Sequence, residues 1–183
     1  MADSKHFDQI CATSIVLIGM MGAGKSSLGV RLAETLGMPF RDADNEIEKA
    51  AAMSIAEIFE QHGEQAFRDG ERRVIKRLLS DKPMVLALGG GAFIDDETRA
   101  LVQEKALSIY LDVPIDELAV RVQKKPDKRP LLKGQNVAAK LQELMHQRGP
   151  IYETAKLKVD VSGGTHDDAI ARLLAALDAH YAG

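Results

Sequence analysis

Residues 13–26 read T-S-I-V-L-I-G-M-M-G-A-G-K-S, a strand, a glycine-rich turn and the start of a helix in fourteen residues. Thr13 to Ile18 is a short, β-branched apolar run of the kind that forms a buried strand, and Gly19 ends it. From Lys25 to Leu36 apolar residues recur at helical spacing. Between the two, Gly19 to Ser26 fits G-x-x-x-x-G-K-[ST] where that pattern has a mechanism, at a strand-to-helix turn. Glycines let the chain curl until consecutive N–H groups point inward, and the following helix adds the positive end of its dipole. A nucleotide polyphosphate fits such a cradle, with Gly22, Ala23, Gly24, Lys25, Ser26 and Ser27 as its contacts. Lys25 would reach the β- and γ-phosphates as a point charge, and the Ser26 hydroxyl would take a Mg²⁺ coordination place. The competing reading is an ordinary Gly-rich turn with an exposed lysine; pattern and context together favour the nucleotide site.

Working outward, Pro83 to Leu88, Ala106 to Leu111 and Leu157 to Val161 are similar runs, and Met38 to Arg41 is a weaker one, giving about five strands. Helical spacing marks Asp44 to Ala51, Ser54 to Gln61, Glu64 to Leu79, Asp95 to Lys105, Ile115 to Val122, Val137 to Ala155 and Asp167 to Ala179. Strands alternating with helices predict an α/β layer structure, with right-handed crossovers placing helices on both faces of a mainly parallel sheet. Ligands then belong beyond the C-terminal strand ends.

At 183 residues the chain fits one domain, expected over residues 13–183, preceded by a flexible polar tail over 1–12. A formal charge of −3 leaves no global positive field for nucleic acid or an anionic bilayer, so neither is an expected partner. No apolar run approaches the roughly 20 residues that cross a membrane. Cys11 is the single cysteine, which excludes an internal disulfide and makes the reducing cytoplasm the expected compartment. Arg121 to Lys133 carries six basic residues against Asp127 alone, a cationic loop whose bland reading is a solvated connector.

The strand ending at Leu88 is followed by Gly89, Gly90 and Gly91 and not by the aspartate that holds Mg²⁺ in many P-loop NTPases. No N-K-x-D string occurs, and a small-molecule kinase fits better than a motor or GTPase. Phe40 to Asp44 (F-R-D-A-D) sets Asp42 and Asp44 at i and i+2, which in extended chain lean to one side and can hold metal water and an alcohol. Equally, either aspartate can serve only as the cap of the helix that follows. Arg68 in F-R-D-G-E reads by itself as a surface residue, and three glycines by themselves as a turn.

Together these strings resemble the shikimate kinase family from about Ile15 to the last helix. The resemblance rests on G-M-M-G-A-G-K-S, F-R-D-A-D followed by Ile47 and Glu48, G-E-Q-A-F-R at Gly63 to Arg68, L-G-G-G-A at Leu88 to Ala92, R-P-L-L at Arg129 to Leu132, and R-G-P-I-Y at Arg148 to Tyr152. It implies a three-layer α/β/α P-loop kinase fold similar to nucleoside monophosphate kinases, with five parallel strands in the order 2-3-1-4-5 and a mobile lid at about 121–135. It also implies transfer of the ATP γ-phosphoryl group to the 3-hydroxyl of shikimate, with Mg²⁺ as cofactor; separately, a monomer is expected. Carried over position by position, Asp44 holds the shikimate hydroxyls and is the candidate acceptor of the 3-hydroxyl proton, while Asp42 orients water on Mg²⁺. Arg68 and Arg148 grip the carboxylate with backbone N–H groups of Gly89, Gly90 and Gly91, and Arg129 comes from the lid onto the phosphates, joining Lys25 and Asp44 as a catalytic residue. A guanidinium fork suits a carboxylate, and glycines admit a close backbone approach.

The sequence departs from the family pattern at one point. An adenine-stacking arginine, commonly followed by threonine, usually precedes R-P-L-L; here Arg121 is followed by Val122 at a longer spacing, and the adenine contact is not carried over. Two other readings compete: a binding module that keeps the fold without phosphoryl transfer, and a related kinase for another polyol acid such as gluconate.

Overall fold

The run that opens the sequence argument forms β1 (Ser14–Ile18), buried at every residue. The computed structural model describes residues 4–124 and 136–182. In it β1 is the central strand of a sheet completed by β2 (Phe40–Asp42), β3 (Val85–Ala87), β4 (Ala106–Asp112) and β5 (Leu157–Asp160). The order is β2-β3-β1-β4-β5 and each neighbouring pair is parallel, as the family resemblance implies. Leu17 lies beside Ala87 on one side and Ile109 on the other, and Asp42 beside Ala87. The strands therefore finish level, and the segments after β1, β2 and β3 emerge at one edge of the sheet.

The connecting helices are α1 (Ser4–Cys11), α2 (Lys25–Leu36), α3 (Ala43–Ala51), α4 (Ile55–Leu78), α5 (Asp96–Lys105), α6 (Ile115–Gln123), α7 (Val137–Tyr152) and α8 (His166–Ala182). Helices α1, α2 and α8 pack together, while α4 packs on α5 and α6 on α7, so the sheet carries helices on both faces. Val16, Leu17, Val85, Leu86 and Ile109 are solvent-excluded between them. Local chemistry sets the boundaries. A capping box starts α4, with the Ser54 hydroxyl accepting from the Glu57 N–H and Glu57 accepting from the Ser54 N–H. Gly63, at φ 80° and ψ 174°, breaks α4 where the spacing predicts two helices.

One expectation is corrected. The segment read as a flexible tail over 1–12 contains α1, whose Ile10 is 2 % exposed within the main core. Phe7, Ile10 and Cys11 share a face at i, i+3 and i+4, but one such turn among polar residues is too short for periodicity to reveal. No described helix is long and apolar enough to cross a membrane. Residues 125–135, which hold most of the expected lid and Arg129, lie outside the described residues.

Candidate active site

The loop between β1 and α2 is curled as the glycine pattern requires, with Gly22 at φ 85° and Gly24 at φ 94°. A Cβ at Gly22 would stand 2.9 Å from Val122 Cγ2, so space as well as dihedral excludes a side chain there. Among the described residues no side chain caps the start of α2, whose first-turn N–H groups face the loop. Lys25 folds back over this cradle, donating from Nζ to the Gly19 carbonyl at 2.8 Å and to the Met20 carbonyl at 2.9 Å. Ala23 is buried beneath the loop. Ser27 turns its hydroxyl onto the Gly24 carbonyl at 3.1 Å. On the outer side, Arg121 of α6 donates to the Gly22 and Ala23 carbonyls at 3.5 and 3.4 Å and to the Val161 carbonyl at 3.3 Å, and pairs with Glu117. Its guanidinium ties the cradle backbone to α6.

At the end of β2 the capping reading holds for Asp42, with one carboxylate oxygen left over. Asp42 Oδ1 accepts from the Asp44 and Asn45 N–H groups at 3.1 and 3.4 Å and caps α3, while Oδ2 accepts from the Ser26 hydroxyl at 2.5 Å. Asp44 already sits in the first helical turn, so the pair is joined by a cap and not by extended chain. Burial pushes the Asp44 carboxyl above its ordinary range, and the charges of Asp42 and Glu48 push the same way against Lys25 and Arg68.

The three glycines after β3 bring the rest of the site together. A Cβ at Gly89 would lie 2.7 Å from Asp44 Oδ1, one at Gly90 3.5 Å from Arg148 Nη1, and one at Gly91 3.0 Å from Arg68 Nη2. Each glycine thus faces one predicted site residue from a different helix. Gly91 has φ −101°, open to any residue, so it is room and not backbone freedom that calls for glycine. The Gly90 position is also 3.8 Å from the Gly19 carbonyl, which sets this cluster directly against the phosphate cradle. Arg148 Nη1 donates to the Gly90 carbonyl at 3.2 Å. Arg68 pairs with Glu71 at 2.7 Å and with Glu64 at 3.5 Å, beside the Phe67 ring.

Glu71 and Tyr152 are the residues that reasoning from sequence misses. Glu71 is 2 % exposed, and burial raises its carboxyl against the opposing hydrogen bond and charge of Arg68. Its signal was the i, i+3 spacing from Arg68, which in isolation reads as a surface pair. A cavity of about 490 Å³ between α3 and α4, lined by Ile47, Met53, Ile58 and Phe67, flanks the acceptor side but includes none of the cradle, and geometry rather than cavity size locates the chemistry. Among the described residues no group of three His, Cys, Asp or Glu could hold a metal ion.

Gly89→Ala is expected to lower kcat about tenfold, since the added methyl displaces the Asp44 carboxylate, whereas the flexible end of that side chain lets the fold absorb it. Steady-state kinetics beside a melting curve check this; a normal kcat would show that Asp44 is not held against Gly89 during turnover.

The shikimate kinase family model matches residues 21–178. The shikimate kinase of Caulobacter vibrioides (strain NA1000 / CB15N) is 54% identical over 166 residues, covering 91% of this chain and 82% of that protein. That of Zymomonas mobilis subsp. mobilis is 53% identical over 164 residues, covering 90% and 93%. Among solved structures, shikimate kinase from Acinetobacter baumannii in complex with shikimate superimposes with a TM-score of 0.88 at 35% identity, covering 96% of this chain and 98% of that one.

Proposed function

The chain belongs to the shikimate kinase family, a P-loop kinase with shikimate and ATP as substrates, and from that premise we propose how its residues divide the transfer of the γ-phosphoryl group to the 3-hydroxyl. The observation that carries the reading is the meeting of Asp44, Arg68 and Arg148 on Gly89, Gly90 and Gly91, beside the Gly19 carbonyl of the cradle. An acceptor bound by the two guanidinium groups is then held next to the phosphates.

The cradle N–H groups and the start of α2 hold the polyphosphate, and Lys25 exchanges its loop carbonyls for phosphate oxygens, placing charge where the transferring group becomes more negative. Ser26 and Asp42 present hydroxyl and carboxylate oxygens within 2.5 Å of one another, a donor set that suits a hard cation. They would hold Mg²⁺, Ser26 directly and Asp42 through water, and the ion would offset phosphate charge. Asp44 accepts the hydroxyl proton or orients the hydroxyl. Arg68, held by Glu71, and Arg148, held by the Gly90 carbonyl, take the carboxylate with loop N–H groups. Arg129 is proposed for the phosphates, and the part of the expected 121–135 lid that follows α6 for closure, on sequence grounds alone; residues 121–123 belong to α6. We also propose that the enzyme works as a cytoplasmic monomer without nucleic acid or membrane.

The raised Asp44 carboxyl gives a stability test. A fold that raises a carboxyl favours its neutral form: below the ordinary carboxylate range nothing opposes folding, and the opposition grows as pH rises through the raised value. Asp44→Asn is therefore expected to raise Tm by a few degrees at neutral pH, with the gain vanishing on acidification. Calorimetry over a pH series measures it. A gain independent of pH, or a loss at neutral pH, would contradict the burial of a charged Asp44.

A further inference from the structure

Tyr152 follows Arg148 by four residues on α7, so the two side chains leave one face of the helix a turn apart. Both donate to one acceptor. Arg148 Nη1 reaches the Gly90 carbonyl at 3.2 Å, and the Tyr152 hydroxyl donates to the same oxygen. Tyr152 is 0 % exposed, and its ring stacks on Tyr110 of β4 with centroids 5.4 Å apart. Tyr110 pairs in the sheet with Ile18, next to the start of the cradle, and its ring lies 3.5 Å from where a Gly19 Cβ would stand. The phenol is thus fixed from behind by rigid strand. Burial also pushes the Tyr152 hydroxyl above its ordinary range, against the charge and hydrogen bond of Arg148, which keeps it protonated and a donor.

Packing does not explain the hydroxyl, because phenylalanine would fill the same space and keep the stack. What the hydroxyl adds is direction. The described chain has no cis peptide bond, and in a planar trans peptide the carbonyl and the next N–H point opposite ways. Drawing the Gly90 carbonyl toward α7 therefore turns the Gly91 N–H away from α7. It also gives Arg148 a fixed anchor for one Nη1 donor, and a guanidinium has five N–H donors in all, so others remain for a ligand.

We propose that Tyr152 is a positioning residue for the acceptor carboxylate: by holding the Gly90 carbonyl that Arg148 also grips, it sets both the Arg148 fork and the Gly91 N–H. This rests on the assignment of Arg148 and the glycine loop to the shikimate carboxylate. The hydroxyl contributes to acceptor binding through geometry and touches no substrate.

The test compares wild type, Tyr152→Phe, Arg148→Ala and the double variant, using shikimate and its neutral carboxamide. Tyr152→Phe should raise KM for shikimate about three- to tenfold, with kcat and KM for ATP within about twofold of wild type. With the carboxamide, wild type and Tyr152→Phe should differ by less than about twofold, since no carboxylate is there to be positioned. The double variant should lose less than the product of the single losses, because Tyr152 acts through Arg148. An unchanged KM for shikimate in Tyr152→Phe, with a raised one in Arg148→Ala, would overturn the role of Tyr152 and leave the clamp standing. Equal losses for ATP and shikimate, or for acid and carboxamide, would reduce the hydroxyl to general rigidity and also overturn it. A normal KM for shikimate in Arg148→Ala would remove the clamp itself, and the inference with it.

Discussion

Lys25→Ala is expected to lower kcat by roughly a thousandfold while Tm falls by no more than a few degrees. The ammonium rests on two loop carbonyls, Gly19 and Met20, at 2.8 and 2.9 Å. Its loss removes little from the core, since Lys25 opens α2 and the buried positions of that helix are Leu28, Gly29, Leu32, Ala33 and Leu36. During transfer the same charge has no substitute, because solvent cannot supply a fixed cation against the phosphoryl oxygens. Lys25→Arg is expected to rescue poorly: a planar fork is too broad for a place built for a compact ammonium. Single-turnover transfer measured beside thermal melting separates the effects, and near-normal turnover in Lys25→Ala would end the phosphate-cradle assignment.

The second large effect is on the acceptor. Removing Arg68 or Arg148 should raise KM for shikimate by roughly ten- to a hundredfold and leave ATP binding little changed, as a charge-assisted hydrogen bond is worth on the order of 1.5–3 kcal/mol. The two arginines come from α4 and α7 and reach the same loop, Arg148 beside Gly90 and Arg68 so close to Gly91 that a Cβ there would crowd its guanidinium. Arg68 is held by buried Glu71 and Arg148 by a backbone carbonyl, so each fork is fixed before a ligand arrives. Lysine at either position should recover only part of the loss. The decisive comparison is the discrimination between shikimate and its carboxamide. It should be strong in wild type and much weaker in each variant; full discrimination in both variants would move the carboxylate site elsewhere.

The two halves of the site are unequally legible from sequence. The phosphate cradle lies within eight consecutive residues, Gly19 to Ser26, and its backbone geometry follows from local glycine chemistry, so the pattern predicts what the structure shows. The five strands and the break at Gly63 are legible for the same local reason. The strand order comes from the family resemblance, because no local signal says that β1 lies between β3 and β4. The acceptor half depends on contacts 58 and 62 residues apart in the chain, those of Arg148 and Tyr152 with Gly90. Spacing arguments reach only one turn along a helix and miss Tyr152 and the commitment of Arg121 to the Gly22 and Ala23 carbonyls. Asp42 puts one oxygen on the start of α3 and the other on Ser26, so capping does not use up the carboxylate, and pattern alone could not separate a cap from a site residue.

The acceptor is decided by product formation with the purified chain given ATP, Mg²⁺ and either shikimate or gluconate, followed by phosphorus NMR with ADP release in parallel. Shikimate should give one new phosphomonoester at its 3-hydroxyl, in equal amount to the ADP released, while gluconate should leave ADP release at the acceptor-free rate. ADP release that ignores shikimate, or a phosphorylated gluconate formed in preference to it, would contradict the assignment of Asp44, Arg68 and Arg148 to a shikimate acceptor.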